Sequence, residues 1–204
     1  TGEVQDAREW VALGVLPAGS PTISSTKART GARSMRFDSD CKAAGLVFAQ
    51  QSTLRAGVWI NHMGPNIGQL HHRANLFTVL TANHTILVTW KVAGSGIAIA
   101  IDNTAVATLP SAAADRLQDT NYWLHIGLTY KAGAGGKVIF WVNGQQVLTY
   151  TGEALEPAIG LFVGGNNNVN DDTAAMVVGQ NIGGGGQGWA DVAHFDDLYV
   201  DGTV

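Results

Sequence analysis

The chain has 204 residues, only 14% of them charged, and a formal net charge of −4. This charged fraction lies well below the usual quarter of a globular protein, and no run of Lys and Arg offers a footprint for nucleic acid. The apolar stretches are too short to span a bilayer, and the lone Cys41 excludes an internal disulfide. We therefore expect neither a nucleic-acid partner nor a membrane.

Strand signals recur along the whole chain, because runs rich in β-branched and aromatic residues alternate with Gly, Asn and Asp. The predicted strands are, in chain order, Arg33–Phe37, Gly45–Gln50, Gly57–Met63, Asn75–Thr81, Thr85–Val92, Ile97–Ile101, Ala105–Leu109, Tyr122–Tyr130, Lys137–Val142, Gln146–Thr151, Ile159–Val163, Thr173–Val178 and Ala190–Val200. A helical turn is predicted only at Ser111–Gln118. Since all-β sandwiches often exceed about 200 residues as one unit, residues 1–204 are predicted to form a single all-β domain.

Two tight hairpins are predicted in the middle of the chain. The turn Asn143-Gly144 separates two β-rich arms in KVIFWVNGQQVLTY, and both residue types tolerate the positive φ of a type I′ turn. Asp102-Asn103 is the matching turn upstream. Val138–Val142 is apolar at every position, so both faces of that strand are predicted to be covered or functional.

Three segments resemble a known superfamily, and they stand in its order. WLHIGLTYKAGAGGKVIFWVNGQQV (Trp123–Val147) resembles the W-x-H strand and following hairpin of laminin-G and concanavalin A-like jelly-rolls. The ending HFDDLYVDGT (His194–Thr203) resembles their closing strand, and TKARTGARSMRFDSD (Thr26–Asp40) is similar to their first core strand with its edge loop. The resemblance implies a two-sheet antiparallel jelly-roll sandwich of the concanavalin A-like kind. It is greatest to the jelly-roll proteins of bacteriophage virions.

The acidic residues do not predict a glycosidase. The glucanases of the superfamily that the chain resembles carry two Glu and an Asp alternating on one strand, which places the acid and the nucleophile about 5–5.5 Å apart for a retaining reaction. Glu153 and Glu156 flank a Pro157 turn instead, and the adjacent Asp196 and Asp197 would point to opposite faces of a regular strand. A G-x-S-x-G nucleophile motif and a phosphate-binding loop are also missing from the sequence. We therefore expect a protein that is not an enzyme.

A calcium site is a candidate near the C-terminal end, because the superfamily that the chain resembles often binds calcium through loop carboxylates and amides. The segment Asn166–Asp172 is dense in such oxygen ligands. The candidate ligands are Asn168, Asn170, Asp172 and Asp196. The alternative is a polar loop tip without a metal. The adjacent His71 and His72 do not form a zinc-binding pair, and His125 is expected to be a hydrogen-bonded imidazole in the core.

A carbohydrate site is the other candidate, since sugar binding needs aromatic platforms beside planar amides. Candidate ligand-binding residues are Trp141, Trp189, Tyr150, Asn143 and Gln145. The alternative favoured for Trp90, Trp123 and Trp141 is packing in the core or between subunits. Trp189 follows a Gly-rich loop, so it is either an anchor for that loop or an exposed contact.

Taken together, these features lead to one expected function and one alternative. The expected function is a structural module of a bacteriophage virion, as a capsid decoration or as a tail or fibre component. Such a module would belong to the extracellular particle, form a homo-oligomer and contact other virion proteins or host-surface glycans. The alternative is a lectin-like carbohydrate-binding module, either with or without a requirement for calcium. A third possibility, a glycan-cleaving enzyme, would need acids that this sequence does not place well.

Overall fold

The computed structural model describes residues 2–4, 22–37, 44–63, 73–91, 96–102, 104–109, 123–152, 154–164, 166–167 and 192–202. These described ranges contain strands and no helix, and therefore no helix long and apolar enough to cross a membrane. The strand bounds are β1 Gly2–Val4, β2 Thr22–Ser24, β3 Ser34–Phe37, β4 Ala44–Gln51, β5 Thr53–Met63, β6 Arg73–Leu80, β7 Thr85–Lys91, β8 Gly96–Ile101, β9 Thr104–Leu109, β10 Leu124–Lys131, β11 Lys137–Val142, β12 Gln145–Thr151, β13 Ala158–Val163, β14 Asn166–Asn167 and β15 Val192–Asp201.

The strands form two antiparallel sheets, one of eight and one of seven strands within the described ranges. The eight-stranded sheet has the order β12-β11-β10-β5-β15-β3-β2, and β1 also pairs with β15. The seven-stranded sheet has the order β4-β13-β6-β7-β8-β9, and β14 pairs with β6. At the centre of the eight-stranded sheet, β5 pairs with both β10 and β15. Segments far apart in sequence therefore meet there side by side.

The hairpin between β11 and β12 turns where the sequence predicts. Asn143 has a φ of 49° and Gly144 a φ of 76°, as a type I′ turn requires. The Asn143 side chain strengthens the turn, because its Oδ1 accepts a hydrogen bond from the backbone N–H of His125 at 3.0 Å. Asp102 likewise has a positive φ of 47° between β8 and β9, whereas Asn103 lies outside the described residues.

The core lies between the two sheets and is filled by their inward-facing side chains. Tyr130, Phe140 and Phe195 of the eight-stranded sheet are fully buried, and so is Phe77 of the seven-stranded sheet. The rings of Phe77 and Phe140 meet edge to face across the interior, with centroids 6.4 Å apart. On β11, Val138, Phe140 and Val142 are buried, whereas Ile139 and Trp141 between them are half-buried on the other face.

The predicted fold, an all-β antiparallel sandwich of two sheets, is confirmed. Most predicted strands match observed ones with ends that differ by only a few residues, whereas β1, β2 and β14 are too short to give a sequence signal. The predicted strand Thr173–Val178 and the predicted helical turn Ser111–Gln118 lie outside the described residues. The single-domain organisation of residues 1–204 stays a prediction.

Candidate functional site

The outer face of the eight-stranded sheet, turned away from the core, carries polar and aromatic side chains at its centre. On β10, Leu128 is buried in the core, so His125 and Gly127 lie on the outer face. Gly127 pairs directly with Gly57 of β5. A Cβ atom added at Gly57 would lie 2.3 Å from Cε1 of Tyr199 and 2.6 Å from Nε2 of His125. Glycine is needed at this position because two rings lie directly over its backbone.

Three rings from three adjacent strands form a cluster on this face. We call Trp59 of β5, His125 of β10 and Tyr199 of β15 the ring cluster. The Trp59 and His125 centroids are 5.2 Å apart, and His125 stacks on Tyr199 at 5.9 Å with 9° between the ring planes. The Arg29 guanidinium lies 3.7 Å from the Trp59 ring centroid, in a cation–π contact. Tyr199 is 37% exposed, so the cluster is open to solvent at this ring.

Arg29 belongs to the loop between β2 and β3, and a bulge in β15 holds that loop in place. The bulge lies where the register with β5 shifts between Asp196 and Tyr199, and Asp197 within it has a φ of 51°. Oδ2 of Asp196 accepts the backbone N–H groups of Arg29 at 2.7 Å and Thr30 at 3.2 Å. Asp197 accepts hydrogen bonds from the side chains of the same two residues. The two adjacent aspartates therefore both face the loop, because the bulge breaks the alternation of a regular strand.

Burial and charge set the protonation of the groups in this cluster. Burial lowers the pKa of the His125 imidazole, and the positive charge of Arg29 lowers it further. Burial raises the pKa of the Tyr199 hydroxyl, although Arg55 opposes that shift. Near neutral pH the imidazole is therefore uncharged and able to accept a proton, while the phenol holds its proton.

A buried hydrogen-bond chain supports the same end of the sheet. His194 of β15 is buried, and its Nδ1 lies 2.9 Å from Oγ of Ser34 on β3. The Ser34 hydroxyl donates its hydrogen to the carbonyl oxygen of Lys27. Since a hydroxyl has one hydrogen, Ser34 must accept from His194, which places the proton of a neutral His194 on Nδ1. This chain ties the loop that carries Arg29 to β3 and β15.

The described residues predicted for carbohydrate binding all lie on the β11–β12 hairpin, at different positions along it. Trp141 lies on the outer face, where its indole N–H donates to Oγ1 of Thr129 at 3.0 Å. Tyr150 packs against the core instead, and Gln145 is exposed at the start of the edge strand β12. Asn143 stabilises the hairpin turn as described above. Trp189 lies outside the described residues, so its role stays a prediction.

The calcium site stays a prediction, because Asn168, Asn170 and Asp172 lie outside the described residues and only Asp196 lies within them. Asp196 is 4% exposed, and its carboxylate accepts three backbone N–H groups, from Arg29, Thr30 and Asp197. The positive ends of these N–H dipoles favour an anchor for the loop over a cation ligand. No group of three or more His, Cys, Asp or Glu side chains suited to a metal ion occurs in the described ranges.

The ring cluster itself is largely missing from the sequence predictions. His125 is expected in the core, but it lies half-buried on the opposite face of β10. Trp59 lies in none of the three segments that resemble the superfamily, whereas Tyr199 and Arg29 each lie in one, but those segments predict strands and no site. Register brings the three rings together, because His125 pairs with Trp59 and Tyr199 pairs with Gly57. One signal in the sequence could have drawn attention to this region, namely glycines within otherwise regular strands.

A second polar cluster lies at the turn between β6 and β7 of the seven-stranded sheet. Glu156 accepts hydrogen bonds from the Thr81 hydroxyl at 2.8 Å and the Asn83 backbone N–H at 2.9 Å. Nδ1 of His84 lies 2.6 Å from Oδ2 of Asp102 in an exposed ion pair. Hydrogen bonds from Asn83 and Thr81 lower the pKa of Glu156 to about 2, and Asp102 raises the pKa of His84. These contacts fix the turn between β6 and β7.

No protein-family model matches the chain, and no curated protein matches it in sequence. Solved structures are similar in fold. The "Cellulose induced protein, Cip1" has a TM-score of 0.61 at 13% identity, over 94% of this chain and 92% of that one. The alginate lyase Aly36B, solved as a mutant "in complex with alginate trisaccharide", has a TM-score of 0.61 at 9% identity, over 100% and 95%. The alginate lyase vAL-1 from Chlorella virus has a TM-score of 0.58 at 9% identity, over 99% of both chains.

These similarities correct the expected function. The prediction of a phage virion module is wrong, because the similar structures include two alginate lyases and nothing in them indicates a virion component. A jelly-roll and a low charge are shared by many functions, and so neither feature identifies a virion protein. The lyases are also at odds with the expected lack of enzyme activity, although identities of 9% show a shared fold and not a shared reaction. The chain has the fold of a two-sheet antiparallel jelly-roll sandwich.

Proposed function

We propose that the outer face of the eight-stranded sheet binds an acidic polysaccharide. The observation that supports this function best is the ring cluster with the Arg29 guanidinium on Trp59. Aromatic faces provide platforms for sugar rings, and a guanidinium is suited to the planar carboxylate of a uronic acid. The cluster stands on the central strands β5, β10 and β15, which makes the platform rigid.

The charge of Arg29 favours an acidic over a neutral sugar. Its guanidinium has five N–H donors, and the hydrogen bond to Asp197 involves only Nη1. A carboxylate on the ligand would therefore find donors in a group that the loop already holds in place. The fold similarity to alginate lyases supports the same class of ligand, since alginate is a polymer of uronic acids.

Titration calorimetry with alginate and glucuronan oligosaccharides, and with neutral cello-oligosaccharides of equal length, tests this proposal. We expect the acidic oligomers to bind and both Trp59→Ala and Arg29→Gln to weaken binding. Val47→Ala serves as the control, because Val47 is an exposed residue on the edge strand β4 of the other sheet. The proposal fails if no acidic oligomer binds, or if Trp59→Ala binds as tightly as the wild type.

A calcium-dependent lectin remains a proposal for the segment Asn166–Asp172. The same titrations in the presence of calcium and then of a chelator test it. Binding that is lost with the chelator and restored by calcium would support a metal in that segment. Binding that is indifferent to the chelator would contradict the calcium requirement and leave the ring cluster as the binding site.

A second candidate function is cleavage of the bound polysaccharide by β-elimination, and the stacked pair of His125 and Tyr199 favours it. The uncharged His125 is suited to remove the proton from the ring carbon that bears the carboxylate. The electron pair forms a C=C bond to the neighbouring ring carbon, and the glycosidic C–O bond breaks. The leaving oxygen takes the proton of Tyr199. Arg29 would stabilise the charge that develops on the carboxylate.

The unsaturated product of this reaction absorbs ultraviolet light, so a spectrophotometer records the reaction directly. We expect absorbance to rise with a polyuronate and the wild type, and to stay flat with His125→Ala and with Tyr199→Phe. The phenylalanine variant keeps the ring and removes only the proton donor. Binding by the wild type without any unsaturated product would rule out the lyase and retain the binding module.

A further inference from the structure

The outer face of the eight-stranded sheet carries a pair of like charges at the end of β10 and β11. Lys131 and Lys137 are direct partners across these two strands, and both are exposed. Directly opposite partners in an antiparallel pair have Cβ atoms about 4.5–5.5 Å apart, and like charges at that distance are destabilising. Neither ammonium group forms an ion pair with a carboxylate in the described part of the chain.

This pair stands out because the rest of the hairpin is locally favourable. The turn residues, the alternation of β11 and the cross-strand pairing all agree with the fold, whereas two facing lysines oppose it. Residues that break a local rule without a compensating contact are expected at functional sites. A ligand that brings negative charge would turn the repulsion into attraction.

The two lysines are on the same face as the ring cluster, and Lys131 is on the same strand, β10, as His125. Every second residue of β10 from His125 to Lys131 lies on the outer face, which places these two residues roughly 20 Å apart at the usual rise of a strand. Arg55 of β5 pairs with Thr129 between them and is also exposed. Trp141 covers the intervening Gly127, with its Cβ 3.4 Å from a Cβ atom added there. Cationic side chains therefore lie at both ends of one path, and Asp201 of β15 is the direct partner of Arg55 beside it.

We propose that Lys131, Lys137 and Arg55 form a second anion subsite, which binds carboxylates of the same acidic polysaccharide chain that lies on the ring cluster. This inference rests on the proposed function and adds to it a minimum chain length. An oligomer long enough to reach from the ring cluster to the lysines binds more tightly than a short one. A polysaccharide fits this path better than a nucleic acid for two reasons. The Thr129 hydroxyl and the Trp141 indole ring lie between Arg29 and the two lysines, and the net charge of the chain is −4.

The test compares two oligouronates, a short one that covers only the ring cluster and a long one that spans the roughly 20 Å path. For the wild type we expect the long oligomer to bind on the order of tenfold more tightly at low salt. The double variant Lys131→Gln/Lys137→Gln should lose that difference and keep its affinity for the short oligomer. The matched control Lys131→Arg/Lys137→Arg retains both charges and should keep the difference.

The possible failures are distinguishable from one another. If the wild type binds neither oligomer, the proposed function fails and this inference fails with it. If the wild type binds both oligomers equally, or if the glutamine variant keeps the length dependence, only the second subsite is contradicted. A DNA oligonucleotide of equal charge is the competitor in a parallel arm, and displacement of the long oligouronate at similar concentrations would overturn the assignment to a polysaccharide.

Discussion

The two sheets of this protein differ in what their strands present on the side away from the shared core. On the seven-stranded sheet, residues outside the core cluster such as Leu80, Leu87 and Ala100 are still buried, as are the hydroxyls of Thr78 and Thr89. On the eight-stranded sheet, the corresponding side carries the ring cluster, Arg29 and the facing lysines. Among these described side chains, the rings and cations are on the eight-stranded sheet, and those on the seven-stranded sheet are apolar or carry hydroxyls. This difference between the two sheets favours a functional site on the eight-stranded sheet.

The largest effect should come from the core. Phe77→Ala removes a fully buried ring that packs on Phe140, and we expect it to lower the free energy of unfolding by about 3–5 kcal/mol. Trp59→Ala should cost much less stability, because Trp59 is half-buried on the outer face, but it should weaken polysaccharide binding. Denaturant unfolding and calorimetry on both variants measure the difference. An equal loss of stability in the two variants would show that the outer face is as structural as the core.

The next prediction compares Gly57 of β5 with Gly127, its direct partner on β10. Gly57→Ala would force the rings of Tyr199 and His125 to move, since its new Cβ would lie within 2.6 Å of both. We expect binding to weaken by about 2–3 kcal/mol, or roughly 30- to 150-fold in Kd, as for the loss of a central contact. The fold should survive, because the displaced atoms are the ends of side chains.

Gly127→Ala is the matched control for that prediction. Its new Cβ would meet Trp141 at 3.4 Å, an ordinary contact, so this variant should bind as the wild type does. Alanine also suits a strand at least as well as glycine. If both variants lose affinity equally, the position of the Tyr199 and His125 rings is not what determines binding.

The sequence predicts the scaffold much better than the site. Alternation, turn residues such as Asn143-Gly144 and the three segments similar to known jelly-rolls identify the strands, because these signals are local. The ring cluster depends instead on register between β5, β10 and β15, which no local pattern reports. The bulge at Asp196–Asp197 illustrates the difference. A regular strand would point the two carboxylates to opposite faces, whereas the bulge lets both hold one loop.

A smaller effect is expected from weakening that loop anchor. Asp197→Asn removes the charge that holds the Arg29 guanidinium, while asparagine still tolerates the positive φ of the bulge. We expect polysaccharide affinity to fall by about 1 kcal/mol, or roughly fivefold in Kd, because the ion pair is partly exposed. The fall should shrink as salt is added, since salt screens the pair in the wild type. Unchanged affinity at low salt would show that Asp197 does not position Arg29.

The smallest effect is expected at the turn between β6 and β7 of the seven-stranded sheet. A change of charge there should alter the stability of the fold and leave polysaccharide binding unchanged. The pKa of Glu156 is lowered from 4.5 to about 2, so its stabilising effect is complete above 4.5 and is lost as the pH falls towards 2. Glu156→Gln should flatten this acid dependence and lower the Tm at neutral pH by roughly 2–4 °C or less.

The stabilising effect of His84 at the same turn should depend on pH in the opposite direction. Asp102 raises its pKa above 6.5, so the ion pair stabilises the fold below pH 6.5 and loses that effect as the pH rises through the raised value. Asp102→Asn should therefore remove a stabilisation that is present at acidic pH, and Tm measured against pH for both variants separates the two slopes. Polysaccharide affinity should stay unchanged in both. A loss of affinity in either variant would contradict the division of roles between the two sheets.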